Sequence, residues 1–170
     1  MSAHLRRKVD QQLEFSHDLL GIEVEPEARN ALASALCWQL EQTLCFYLLE
    51  LGRAGGNRRW SHGWTLDADL LMAALKAVPS TDLQELVDLS LAPDSWLTGL
   101  LSGLGSLRRV DESPALKGEL FQSDLEVSKP VLIASSSAVF PSVPNWEDLA
   151  QITEAMRQLI QRQRLGHEEY

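Results

Sequence analysis

A chain of 170 residues, 45% of them hydrophobic, is long enough to bury one core of its own and short enough to need only one domain. Its formal net charge of -9 and isoelectric point near 4.9 disfavour nucleic acid binding by bulk electrostatics, which leaves that role only to a local basic patch. The opening residues, MSAHLRRKVDQQLEF, lack an apolar run and a cleavage site, so no secretory signal is expected and the cytoplasm is the expected location.

Residues 3–20 read as a first helix. Leu5, Val9, Gln12, Leu13, Ser16, Leu19 and Leu20 follow helical spacing, Phe15 sits on the flank, and Arg6, Arg7 and Lys8 lie on the solvated side. Gly21 ends it, and His17 reads as a surface residue because no carboxylate-histidine pattern surrounds it.

The stretch from Pro26 to Gly52 organises the rest of the chain. Pro26 suits a first helical position, Glu25 and Glu27 lie at the positive end of the helix dipole, and Arg53 follows at the negative end. One stripe holds Ala28, Ala31, Leu32, Ala35, Leu36, Leu40, Leu44, Tyr47, Leu48 and Leu51. A second holds Trp38, Cys45, Phe46 and Leu49, so the helix is expected to be covered nearly all round. Gln39, Glu41, Gln42 and Glu50 argue against a membrane span, since a charge at bilayer depth costs roughly 2.5–3.5 kcal/mol on insertion scales. The two cysteines, Cys37 and Cys45, lie about 12 Å apart along this helix, too far for a disulfide within the chain, and read as small buried hydrophobes.

Residues 53–65, RAGGNRRWSHGWT, form a glycine-marked loop that concentrates Arg53, Arg58, Arg59, Trp60, His62 and Trp64. Thr65 is the expected N-cap of a helix over 66–78. Thr81, with Gln84 three residues on, is expected to cap the next over 82–91. Pro93 and Asp94 open another, with Trp96, Leu97, Leu100, Leu101 and Leu104 on one face and Gly103 and Gly105 weakening its end. From Asp67 to Asp94 acids face a single Lys76, so a negative face is expected there. Glycine, proline and serine then punctuate 106–144, an extended, partly mobile segment within the single domain, in which 131–137 is either a brief strand or irregular. The final helix spans 146–165, capped by Asn145, acidic in its first turn and basic toward its end at Arg157, Arg162 and Arg164.

The early helix, the run CWQLEQTLCFYLLELG and the segment LQELVDLSLAPDSWLTGLL at 83–101 resemble a domain-of-unknown-function family of uncharacterised proteins from Pseudomonas and related gammaproteobacteria. The resemblance implies a bacterial, cytoplasmic helical protein. It supplies no activity, cofactor or catalytic residue.

No phosphate-binding loop, dinucleotide fingerprint, HExxH, nucleophile elbow or CxxC pair is present, and no cofactor is expected. His4, His17, His62 and His167 are scattered, so no metal site is expected either. The loop 53–65 carries the remaining chemistry. Arginine beside tryptophan can stack a base or hold a phosphate, can anchor a protein contact, or can fold back to cap the core. A comparison with HEPN-type RNA-directed bundles, which pair an arginine with a histidine shortly after it, finds Arg58 and Arg53 at spacings from His62 that do not fit. The expected fold is therefore all-α, an irregular bundle of five to six helices around 26–52. The expected role is a non-catalytic interaction or assembly protein, with a protein partner or self-association through Arg53, Arg58, Arg59, Trp60, His62 and Trp64. The alternative is a HEPN-like RNA-directed activity using Arg58 and His62, and a small apolar ligand between helices is a weaker possibility.

Overall fold

The computed structural model describes residues 3–23, 25–57, 65–111 and 144–168. They form six helices, α1 (Ala3–Leu20), α2 (Pro26–Ala54), α3 (Ala68–Ala77), α4 (Thr81–Leu91), α5 (Trp96–Asp111) and α6 (Trp146–Glu168), and the expected all-α bundle is found. None of the helices among the described residues is long and apolar enough to cross a membrane.

α2 is the axis of the bundle. α1 lies antiparallel to it, with Gln39 Nε2 donating to Gln12 Oε1 at 2.7 Å and the Lys8 ammonium 5.5 Å from the Phe46 ring centroid. α6 runs parallel to α2, since Tyr47 donates to Gln163 Oε1 at 2.6 Å while Trp146, at the other end of α6, lines a cleft with Arg29. α3, α4 and α5 follow one another around the remaining side. Leu36, Leu40, Leu44, Tyr47 and Leu48 of α2 are fully buried, and Leu86, Leu97, Leu100, Leu104, Met156 and Ile160 close over them. Burying one such side chain contributes about 1.5–3 kcal/mol, so this seam supplies most of the driving force for assembly.

Two expected caps are displaced. Asp67, not Thr65, caps α3, its carboxylate accepting from the Leu70 N–H at 2.7 Å. The reason is Leu66, which is drawn wholly into the core and holds the chain extended until Asp67. Ser80, not Thr81, caps α4, its hydroxyl accepting from the Leu83 N–H at 3.2 Å. That puts Leu83 at the third helical position and frees Gln84 to bond Asp88 at 2.8 Å. Asn145 caps α6 as expected, accepting from the Asp148 N–H at 2.8 Å.

α5 also differs from expectation. It passes through Gly103 and Gly105 and continues to Asp111, into the stretch expected to be extended. Gly103 is buried, and a Cβ there would lie 2.5 Å from Pro144 Cδ. Its bare backbone lets the chain entering α6 press against α5. Residues 112–143, including 131–137, lie outside the described residues.

The coverage of α2 is uneven. Its C-terminal half is sealed, but Ala28, Ala31 and Ala35 of the expected inner stripe are exposed, and Trp38 of the second stripe is 37% exposed. Ala33, outside both expected stripes, faces inward instead, while Leu36 and Cys37 are buried as expected. Alanine presents so little apolar area that leaving three of them in water costs little, and the neighbouring helices pack where α2 carries leucines.

Candidate interaction surface

Two acids on the apolar α2 set the electrostatics of the interior. Glu50 is 1% exposed and receives Arg164 of α6 through both carboxylate oxygens, at 3.0 and 2.7 Å. The same guanidinium reaches Asp10 of α1 at 2.5 Å and the Arg6 carbonyl at 3.4 Å, so one arginine ties three helices. Burial works against its charge, but the hydrogen bonds to Glu50 and Asp10 outweigh that penalty and hold its pKa above the ordinary value. Beside it, Gln163 accepts from Tyr47 and donates to Glu85 Oε2 at 2.9 Å, joining α4 to the network, while burial pushes the Tyr47 phenol up. No buried side-chain nitrogen or oxygen among the described residues lacks a partner. These groups hold the bundle together.

The second acid, Glu41, holds the foot of the loop. It accepts the Leu66 N–H at 2.8 Å and forms an ion pair with Arg108 of α5, whose Nη1 donates to the Leu66 carbonyl at 3.1 Å. Both backbone groups of Leu66 are thus clamped by one carboxylate-guanidinium pair. The outer face of the Arg108 guanidinium lies 5.7 Å from the Trp38 ring centroid. Trp38 is 37% exposed, and the Arg108 side chain 25%, so the pair opens to water where the loop rejoins the bundle. A stacked arginine-tryptophan pair at such a place is worth about 0.5–1 kcal/mol and presents a flat, cationic, apolar surface.

The loop leaves from the other end of α2. Arg53 is exposed in the last helical turn, and the Asn57 N–H bonds the Gly52 carbonyl at 2.8 Å. A Cβ on Gly55 would collide with the Val78 side chain, so glycine is needed where the end of α3 approaches α2. Between the end of α2 and Glu41 the helix axis runs about 20 Å, at 1.5 Å per residue. The loop therefore starts at the C-terminal tip of α2 and is fixed again near its middle. Arg58, Arg59, Trp60, His62 and Trp64 lie outside the described residues, so of the expected contact residues only Arg53 has a described position.

Trp38 and Arg108 are the residues that sequence reasoning did not bring to this surface. Trp38 reads as one more apolar residue on a helix rich in them, and Arg108 falls in the stretch expected to be extended. The available signal is Glu41 itself, because a carboxylate on a buried helix requires a cation or several donors.

Both thiols are buried. Burial pushes Cys37 up to about 11 and Cys45 to about 12, the latter helped by the nearby Glu41 charge. Between α1 and α6 lies a cavity of about 310 Å³ with Leu13, Leu20 and Ala150 in its wall and His17, Glu154 and Arg157 at its edge. Glu154 already accepts from Gln158 at 2.8 Å and pairs with Arg157, and these bonds hold its carboxyl below the usual range. Among the described residues no three histidine, cysteine or carboxylate side chains converge as metal ligands. No protein-family model, curated protein or solved structure matches the chain.

Proposed function

We propose that the chain is a non-catalytic interaction protein, bacterial and cytoplasmic, whose contact segment is the basic-aromatic loop 53–65 with Trp38 and Arg108 at its foot. The observation that carries this reading is the clamp on Leu66. A loop whose re-entry is fixed through both backbone groups of one residue, beside an exposed tryptophan stacked on an arginine, is ordered at its base before any partner arrives. Arginine and tryptophan are the side chains that dominate binding energy at protein interfaces, and an anchored base lowers the ordering cost of contact. The resemblance to a bacterial domain-of-unknown-function family is in keeping with this role and adds no activity to it.

The reading predicts that Trp60→Ala with Trp64→Ala abolishes capture of the partner on affinity purification and leaves the Tm within about 2 °C. A fall of many degrees instead identifies the two tryptophans as core, which overturns the reading. Salt-sensitive RNA binding lost on Arg58→Ala with Arg59→Ala would favour the RNA-directed alternative.

A further inference from the structure

Paired and unpaired acids are distributed unevenly along the bundle. At the N-terminal end of α2, two adjoining clefts of about 610 and 750 Å³ share Arg29 and Trp146 as a common wall. Leu20 and Ile22 line one of them, and Ile22 is 47% exposed. Glu23, Glu25 and Glu147 rim the pair, against the single cation Arg29, and none of these four has an ion-pair partner among the described residues. The arginines of the opposite half of α6 are spoken for, Arg162 by Glu85 and Arg164 by Glu50 and Asp10. Past the C-terminal end of α2 the sequence turns basic. Between Glu50 and Asp67 the sequence holds Arg53, Arg58, Arg59 and His62 and no acid.

Helix dipoles explain only part of this. Acids at the starts of α2 and α6 are what the dipole favours. α1 runs the other way and has no acid in its first turn, with Arg6, Arg7 and Lys8 near its start and Asp10, Glu14 and Asp18 after them. Its charges oppose its own dipole and instead match the polarity of α2 and α6 beside it. Acids also stand at the other end, but there Asp10, Glu50, Asp82 and Glu85 are each paired with Arg164, His167 or Arg162, whereas Glu23, Glu25 and Glu147 at the cleft have no ion-pair partner among the described residues.

The two ends do not meet within one chain. From Gly55 to Arg29 the axis of α2 runs about 39 Å, whereas Trp60 lies five residues beyond Gly55 and reaches at most about 18 Å. Trp64 is two residues from Leu66, which is held at Glu41, about 18 Å along the axis from Arg29. We propose that the acidic cleft walled by Trp146 and Arg29 receives the basic-aromatic loop of a second copy, so that chains join head to tail. This rests on the loop being the contact segment. The occupant is chosen by charge and shape: Arg58 and Arg59 meet Glu23, Glu25 and Glu147, while Trp60 enters against Leu20, Ile22 and Trp146. Such a contact is heterologous and leaves one free loop and one free cleft on every chain added, so it grows into open chains or closes into a ring.

Complementation between two variants tests it. Glu23→Lys with Glu25→Lys disables the cleft, and Arg58→Ala, Arg59→Ala and Trp60→Ala together disable the loop. By sedimentation at low salt, wild type rises above the 19.0 kDa single-chain mass as concentration increases and returns toward it when added salt screens the charges. Each variant alone stays at the single-chain mass, and an equimolar mixture gives a species of twice that mass and no larger, because one good cleft meets one good loop. Circular dichroism verifies that both variants are folded. A mixture of folded variants that stays at the single-chain mass overturns the proposal, as does a wild type that never self-associates at low salt. If the wild type does not self-associate yet its loop tryptophans still capture a foreign protein, the head-to-tail contact fails and the contact role of the loop survives.

Discussion

Glu50 and Glu25 stand at opposite ends of one helix and live in different media. Glu50 is sealed and held through both carboxylate oxygens by Arg164, whose guanidinium also reaches Asp10 of α1. Glu25 is exposed on the lip of an open cleft and has no ion-pair partner among the described residues, although Arg29 stands in the wall of the same cleft. The same contrast runs through the apolar residues of α2, where Leu44 and Leu48 are fully buried while Ala31 and Ala35 face water. The difference lies in the neighbours more than in α2 itself. α6 and the ends of α4 and α1 converge on the C-terminal half, and their side chains bring the polar partners that make the buried acid tolerable.

The sharpest way to break the sealed half is to remove its cation. Arg164→Ala leaves Glu50 buried and uncompensated, and the expected loss is about 3–5 kcal/mol, read as a lower midpoint in urea unfolding. Replacing the charges together, with Arg164→Met and Glu50→Leu, is expected to recover most of that loss, since a well-packed apolar pair removes the desolvation penalty as well as the attraction. A single-variant loss below about 1 kcal/mol would mean that water enters the centre and that this half is not sealed.

The buried thiols probe the same seal by a second route. Cys37 and Cys45 have an ordinary pKa near 9.0 when unfolded and stand near 11 and 12 when folded, so the native state favours the neutral thiol. The stability this provides is fully present below pH 9 and is lost as pH rises through 9 toward 11 to 12, because only the unfolded chain ionises in that window. At pH 8 the thiolate fraction of Cys37 in the native state is about 100-fold below that of the unfolded chain, so alkylation should be slowed at least that much. Labelling at the rate of the denatured protein would place the cysteines outside the core.

How much of this was legible in the chain follows from the same contrast. The helices and the leucine seam show in the sequence because burial of leucine at helical spacing is a local signal. The caps of α3 and α4 were misplaced by one or two residues because Thr65 and Thr81 are chemically adequate caps, and the choice fell to where the core drew in Leu66 and to Ser80 standing one place earlier. The exposed side of α2 was not legible, since Ala31 and Ala35 look the same in sequence whether covered or not. Trp38 and Arg108 escaped for a different reason. Their pairing joins positions far apart in the chain, and α5 crosses glycines that read as a stop until Pro144 is seen packed on Gly103. Arg53 is exposed in the last turn of α2 rather than in the loop expected from residue 53, and the other five expected contact residues lie outside the described residues.

The open half gives the smallest effect and the cleanest contrast. Ala31→Glu and Ala35→Lys, made together, place an acid and a base four residues apart on the exposed side of α2. In that order the pair adds about 0.2–0.5 kcal/mol, because the acid lies toward the helix N-terminus and the base toward its C-terminus. Alanine is a slightly better helix former than either, so the net change in stability is expected within about 0.5 kcal/mol of zero. The sequence alone places both alanines on the inner stripe, where two buried charges would cost several kcal/mol and unfold the bundle. Unchanged urea unfolding therefore marks this side of α2 as open, and a collapse in stability would show that it is covered by a part of the molecule or a second chain. Repeating the measurement across protein concentration separates those two covers, since only the second chain makes the cost depend on concentration.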